Sequence, residues 1–167
     1  MPRLDVDGVI FDFPDDWQVG RYDAWSFYRS QIRGMWNGIK AVDLLALDPR
    51  RMLWAIEVKD YRMHPRTKPS ALPDEVARKV FDTLSAMLPA KLHATEAVEK
   101  QIAKQVCSAR GLRVVLHLMQ PQKHSRLRPR AINPADVQQA LRRLIKPIDP
   151  HPLVIDERGQ APGWQCQ

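Results

Sequence analysis

A chain of 167 residues, 44% hydrophobic and 27% charged, is large enough to bury a core without disulfide or metal staples, and its composition is that of an ordinary globular protein. No apolar run approaches the ~20 residues of a bilayer span. The opening MPRLDVDGVI lacks the charged-then-apolar plan of a secretory leader, so the expectation is a cytoplasmic protein with no membrane partner.

The formal charge is +7, and it is unevenly placed. Between Arg110 and Lys146 nine Lys or Arg face one acid, Asp136. A focused basic stretch is the electrostatic footprint of a polyanion partner, and equally that of a solvated basic face. The two cysteines have no CxxC or Cys/His ligand spacing, which argues against a zinc site. Cys107, among helical apolar residues, is expected to be buried, and Cys166 to be an unpaired thiol in a terminal tail.

In chain order, residues 6–13 predict a strand that ends at Pro14-Asp15-Asp16. Residues 22–33 predict a short helix, and Gly34 and Gly38 bracket a loop around Met35-Trp36-Asn37. The runs 39–47 and 52–61 flank Asp48-Pro49-Arg50-Arg51, which has the residue order of a type I turn, and together they predict a β-hairpin. A two-residue loop would oppose Asp43 to Ile56. An odd-length loop opposes Asp43 to Glu57, and is preferred because it gathers the polar residues at one end of one face while Val42, Leu44, Ile56 and Val58 keep the other face apolar.

Helices follow over 74–88, with Val76, Ala77, Val80, Phe81, Leu84, Met87 and Leu88 as its apolar stripe, and over 95–110. Residues 112–119 predict a central strand and 120–132 a basic loop. Asn133-Pro134 then caps a helix running to Ile145, with Val137, Ala140, Leu141 and Leu144 inward. A last strand over 151–156 and a loose tail from Glu157 complete the plan: an α/β domain over 1–156, built on a mixed β-sheet flanked by helices, and a tail over 157–167.

The sharpest chemical pattern is Asp43 followed by Glu57-Val58-Lys59. Two carboxylates on neighbouring strands can share one hard cation, with the Val58 carbonyl completing the shell. Lys59 projects from the same face as Glu57, where it can orient a water or stabilise charge on a phosphate in the transition state. An Asp on one hairpin strand, a Glu-x-Lys on the next, and a helix and strand after them resemble the PD-(D/E)XK nuclease superfamily. That resemblance implies a restriction-endonuclease-like αβ sandwich and Mg²⁺-dependent cleavage of DNA, with Mn²⁺ as a substitute metal and a homodimer where two strands are cut. Catalytic roles would fall to Asp43, Glu57 and Lys59, and metal ligation to Asp43, Glu57 and Val58. No Pro precedes Asp43, segment 22–33 offers no Glu, and a third core strand is not evident between 34 and 61.

Candidate contacts to nucleic acid are Arg62 and Arg66 beside the pattern, Lys123, Arg126, Arg128 and Arg130 in the basic loop, and Arg142 and Arg143 at the end of the last helix. Trp25, Phe27, Tyr28 and Trp36 are either base-stacking platforms or core. His117, in the apolar strand, fits a satisfied core histidine better than a site residue. The rival function is a non-catalytic nucleic-acid-binding or protein-interaction module on the same fold. Carboxylates open to solvent favour the enzyme; Lys59 neutralising them under a covering helix favours the module.

Overall fold

A computed structural model describes residues 1–167. Its centre is a five-stranded mixed sheet in the order β3 (Gln18–Arg21), β4 (Leu44–Leu47), β5 (Met52–Asp60), β6 (Gly111–Met119), β7 (Leu153–Ile155). The first three strands run antiparallel, and β5, β6 and β7 run parallel. Three helices, α1 (Leu72–His93), α2 (Ala97–Val106) and α3 (Pro134–Ile145), cover one face. A small sheet of β1 (Arg3–Val6), β2 (Val9–Asp12) and β8 (Gln165–Cys166) covers the other. The architecture is an α/β sandwich, with its helices on one face of the main sheet only.

The β4–β5 hairpin has the register that side-chain parity predicts. Leu47 opposes Leu53, Leu45 opposes Ala55 and Leu44 opposes Ile56, which sets Asp43 opposite Glu57 one step further. Asp48 closes the turn. Its carbonyl accepts from Arg51 N–H (2.9 Å), and its Oδ1 accepts from the N–H groups of Arg50 (2.9 Å) and Met52 (3.0 Å). Arg51 takes a left-handed conformation (φ 63°), as a type I turn extended to an odd-length loop requires.

Alternation then sorts the two cores. Leu45, Leu47, Leu53, Ala55, Val114, Leu116 and Leu118 face the helices, whereas Leu44, Ala46, Trp54, Ile56, Val58 and Val115 face the small sheet. No helix is long and apolar enough to cross a membrane.

Several local expectations differ. The strand predicted over 6–13 is a hairpin turning at Asp7-Gly8, both at positive φ, so that Val6 opposes Val9. The predicted helix over 22–33 is a 3-10 turn (Tyr22–Ala24) and a π-turn (Tyr28–Ile32). The third antiparallel strand of the core, β3, precedes these turns rather than following them. Phe81 and Leu88 point outward, because α1 turns Val76, Val80 and Met87 toward the sheet instead. Leu144 is likewise exposed, while Ile145 is buried. Cys107 is exposed at the C-cap of α2.

Residues 157–167 do not hang free. Trp164 is only 5% exposed, and β8 pairs with β2 through Phe11↔Cys166. A large apolar ring and a free strand edge are together enough to dock a short tail.

Candidate functional site

The site is assembled at the C-terminal end of β5, under α1. The segment entering β4 is sutured to that helix: Lys40 N–H donates to Asp82 (2.8 Å) and Val42 N–H to Thr83 Oγ1 (3.0 Å). The Asp43 carbonyl accepts from Tyr22 N–H (2.8 Å), which ties it to the β3 side. Its side chain turns the other way, and Oδ2 accepts from Val58 N–H (2.7 Å). Since the N–H and C=O of one strand residue point to the same side, the Val58 carbonyl also faces Asp43.

Glu57 is 1% exposed and Asp43 8%. Both Lys59 Nζ (3.0 Å) and Lys79 Nζ (2.6 Å), the latter from α1, lie on Glu57 Oε1. Lys59 also reaches Glu75 of α1 (2.7 Å), which is held in turn by Arg66 (2.8 Å) and Lys68 (3.0 Å). Two carboxylates, Glu57 and Glu75, and four cations thus interlock at the junction of β5, α1 and the loop between them, while Asp43 beside them makes no ion pair.

The electrostatics are uneven within this cluster. Burial works to raise the Glu75 pKa, but Lys59, Arg66 and Lys68 outweigh it and hold the carboxyl down at about 2. Burial works to lower the Lys59 pKa, and the Glu57 and Glu75 carboxylates overcome it and hold the ammonium above its ordinary range. Asp43 is the exception: burial first, then the Glu57 charge, push it up to about 7. Glu57 Oε2, meanwhile, has no hydrogen-bond partner at all. Glu57 thus carries two lysines on one oxygen and no donor on the other, and the Asp43 that faces it has a backbone N–H but no cation.

These residues fit a hard cation in part. Two carboxylate groups and the Val58 carbonyl suit Mg²⁺, which binds through one or two carboxylates and keeps several waters. No group of three or more His, Cys, Asp or Glu side chains converges as a metal site. The carboxylates are not open to solvent either: α1 covers them, and Lys59 neutralises Glu57 together with Lys79.

The predicted nucleic-acid contacts divide. Lys123, Arg126 and Arg128 are exposed in the loop after β6, and Arg142 and Arg143 are exposed on α3. Arg130 is spent internally, on Asp156 (3.1 Å) and Glu157. Arg62 pairs with Asp60 (2.7 Å), and Arg66 is largely buried against Glu75. Among the aromatic candidates Trp25, Phe27 and Tyr28 are core, and Trp36 alone is exposed.

His117 lies on the opposite face from Glu57, in register with Val58. Trp164 Nε1–H donates to its Nε2 (3.1 Å), and burial pulls its pKa down to about 4. Sequence reasoning missed Glu75 and Lys79. Their signal is a polar pair four residues apart on the helix that follows Glu57-x-Lys59, close to the inward apolar residues Val76 and Val80.

No family model matches the chain, and no solved structure matches it. The chain is similar to a cysteine–tRNA ligase of Neisseria meningitidis, at 30% identity over 151 residues that take in 72% of this chain. The similarity spans 22% of that ligase's length.

Proposed function

We propose that this protein is a metal-dependent nuclease that hydrolyses phosphodiester bonds, with DNA as its substrate. The observation that carries the reading is the carboxylate pair: Glu57 Oε2 buried without a partner, opposite an Asp43 that has no cation and whose pKa is raised by burial and by Glu57. Asp43, Glu57 and the Val58 carbonyl are the groups that would hold Mg²⁺ or Mn²⁺. The cation, when bound, supplies Lewis acidity and lowers the pKa of a coordinated water. Lys59, anchored on Glu57 and Glu75, presents a positive charge beside the phosphate and stabilises the charge that develops there. Lys79 supplies the compensating charge at Glu57 in the absence of a cation. A polynucleotide partner is compatible with the similarity to part of a tRNA ligase.

A second reading is favoured by the arrangement expected of it from the sequence: the carboxylates are buried and two lysines, Lys59 among them, sit on Glu57 Oε1 beneath α1, which suits a charge-balanced, non-catalytic binding module. Incubating the protein with plasmid and oligonucleotides in Mg²⁺, Mn²⁺ or EDTA separates the two. The nuclease reading expects metal-dependent cleavage that Asp43→Ala abolishes while the variant stays folded. It also expects Lys59→Ala to keep a metal-induced rise in melting temperature but lose most turnover. Absence of cleavage, with a melt indifferent to millimolar Mg²⁺ and Mn²⁺, leaves the binding module.

A further inference from the structure

A second feature lies beside the carboxylate site and is used by neither the core nor the charge cluster. The chain between the π-turn and β4 makes a tight turn, closed by Gly38 N–H donating to the Met35 carbonyl (2.9 Å), with Trp36 and Asn37 at its tip. Trp36 is 88% exposed and has φ of 47°, a left-handed conformation that glycine adopts without cost and a bulky side chain rarely takes. The fold thus tolerates a strained backbone to hold an indole ring in water, where it contributes no packing. Strain of this kind concentrates at ligand-binding positions.

The turn borders a groove. Arg78 Nη2 donates to the Gly38 carbonyl (3.3 Å), which pins the turn to α1, and Arg78 also lines a cleft with Lys40, Lys68 and Lys79. Asp74 and Glu75 are the acids of that cleft, and Glu75 is already compensated by Lys59, Arg66 and Lys68. Lys40 is exposed and makes no ion pair; Lys68 pairs with Glu75 (3.0 Å) and Arg78 with Asp82 (3.0 Å), and both keep more than half of their side-chain surface in water. The cleft leads to Lys79 and so to Glu57 and Lys59. Trp36 stands four residues before Lys40 of the groove wall, and the Gly38 carbonyl, two residues after Trp36, is held by Arg78 of that wall.

An exposed aromatic plane beside a cationic channel is the arrangement that holds unpaired nucleotides: the ring stacks on a base, and the cations follow the phosphates. Intact duplex keeps its base faces stacked on one another and offers no face to the indole. We infer that Trp36 is a base-stacking platform and that the site takes single-stranded nucleic acid, its backbone running along Lys40, Lys68 and Arg78 toward Glu57 and Lys59. This rests on the polynucleotide reading above but not on cleavage.

The test is a binding titration in EDTA with oligothymidylate and with a duplex of equal length, on the wild type, Trp36→Gly and Trp36→Phe. Trp36 is the most exposed tryptophan, so stacking on a base is read as quenching of the red-edge tryptophan emission of the wild type. The expectation is quenching by the single strand, weaker binding of the duplex, and single-strand affinity reduced roughly ten- to hundredfold in Trp36→Gly, with Trp36→Phe retaining most of it. Trp36→Gly is also expected to melt at the same or a higher temperature than wild type, since glycine relieves the positive φ. Unquenched emission, or Trp36→Gly binding as tightly as wild type, overturns the inference. So does a Trp36→Gly protein that melts well below wild type, because Trp36 is then a structural residue. Quenching without cleavage in Mg²⁺ would remove the nuclease reading and keep this one; cleavage without quenching would do the opposite.

Discussion

The two faces of the five-stranded sheet bury ionisable groups by opposite means. On the helix side, Asp43, Glu57 and Lys59 are taken out of water together with charges from α1 and the loop before it. On the other side, His117 is fully buried in a wall of aromatics, with Phe11 edge-on at 5.1 Å and Trp164 at 5.9 Å, and has no counter-charge. Its one strong partner is the Trp164 indole N–H, which it can satisfy only while neutral at Nε2. One face pairs Glu57 and Lys59 with opposite charges and leaves Asp43 without one; the other keeps its group neutral and packs it. The first arrangement leaves an imbalance, at Asp43 and Glu57 Oε2, and the second leaves none. That imbalance is the reason to place chemistry on the helix side.

The largest expected effect lies on the quiet face. Trp164→Ala removes a buried ring and the donor to His117, and should cost about 3–5 kcal/mol. A melt or urea titration checks this. If the tail from Glu157 were loose, the loss would be close to zero.

The next contrast is in pH. The Asp43 carboxyl, ordinarily at 3.8, is raised to about 7 in the folded protein. As pH rises through that window the unfolded chain gives up its proton first, so this group makes the fold less stable, by a ceiling of ~4 kcal/mol. The His117 ring, ordinarily at 6.5, is lowered to about 4. As pH falls from 6.5 toward 4 the unfolded chain takes up a proton first, so this group makes the fold less stable toward acid, by a ceiling of ~3 kcal/mol. Between about pH 4.5 and 6.5 the two slopes oppose each other in the wild type. Asp43→Asn should leave stability rising with pH there, and His117→Gln should leave it falling. Melts across that range in EDTA measure both, and parallel profiles for the two variants would break the contrast.

A smaller effect is expected from Lys79→Ala. It leaves Glu57 with Lys59 as its one cation and should cost about 1–3 kcal/mol, because a second partner remains. Millimolar Mg²⁺ should restore part of that loss if the carboxylates hold a cation. Equal losses with Mg²⁺ and with EDTA would mark the lysine as purely structural.

How much of this was legible before folding differs from segment to segment. The β4–β5 hairpin was legible because strand parity is a local rule: once the loop has odd length, Asp43 must meet Glu57. The capped helix from Asn133 was legible too, and Asn133 Oδ1 accepts from Ala135 N–H (3.0 Å) as an N-cap should. Asp7-Gly8 is a hairpin dipeptide, but the apolar run around it reads equally as one strand, so the turn shows only in the folded chain. Strand β3 had no such signal, because Gln18-Val-Gly-Arg21 carries little strand propensity and is held by pairing with β4.

Local order was therefore written in the chain: alternation, turn chemistry, capping, and the residue types Asp43, Glu57 and Lys59 placed on one face. Tertiary packing decided the rest. It chose which stripe of α1 faces inward, and so brought Lys79 and Glu75 onto the site while Phe81 and Leu88 were left in water. It spent Arg66 and Arg130 on internal carboxylates and left Trp36 exposed. It also folded the last residues back so that Trp164 could cap His117. Propensity and parity act over a few neighbouring residues, whereas the partner of a buried charge is set by which elements meet across the core, and only the folded chain brings those together.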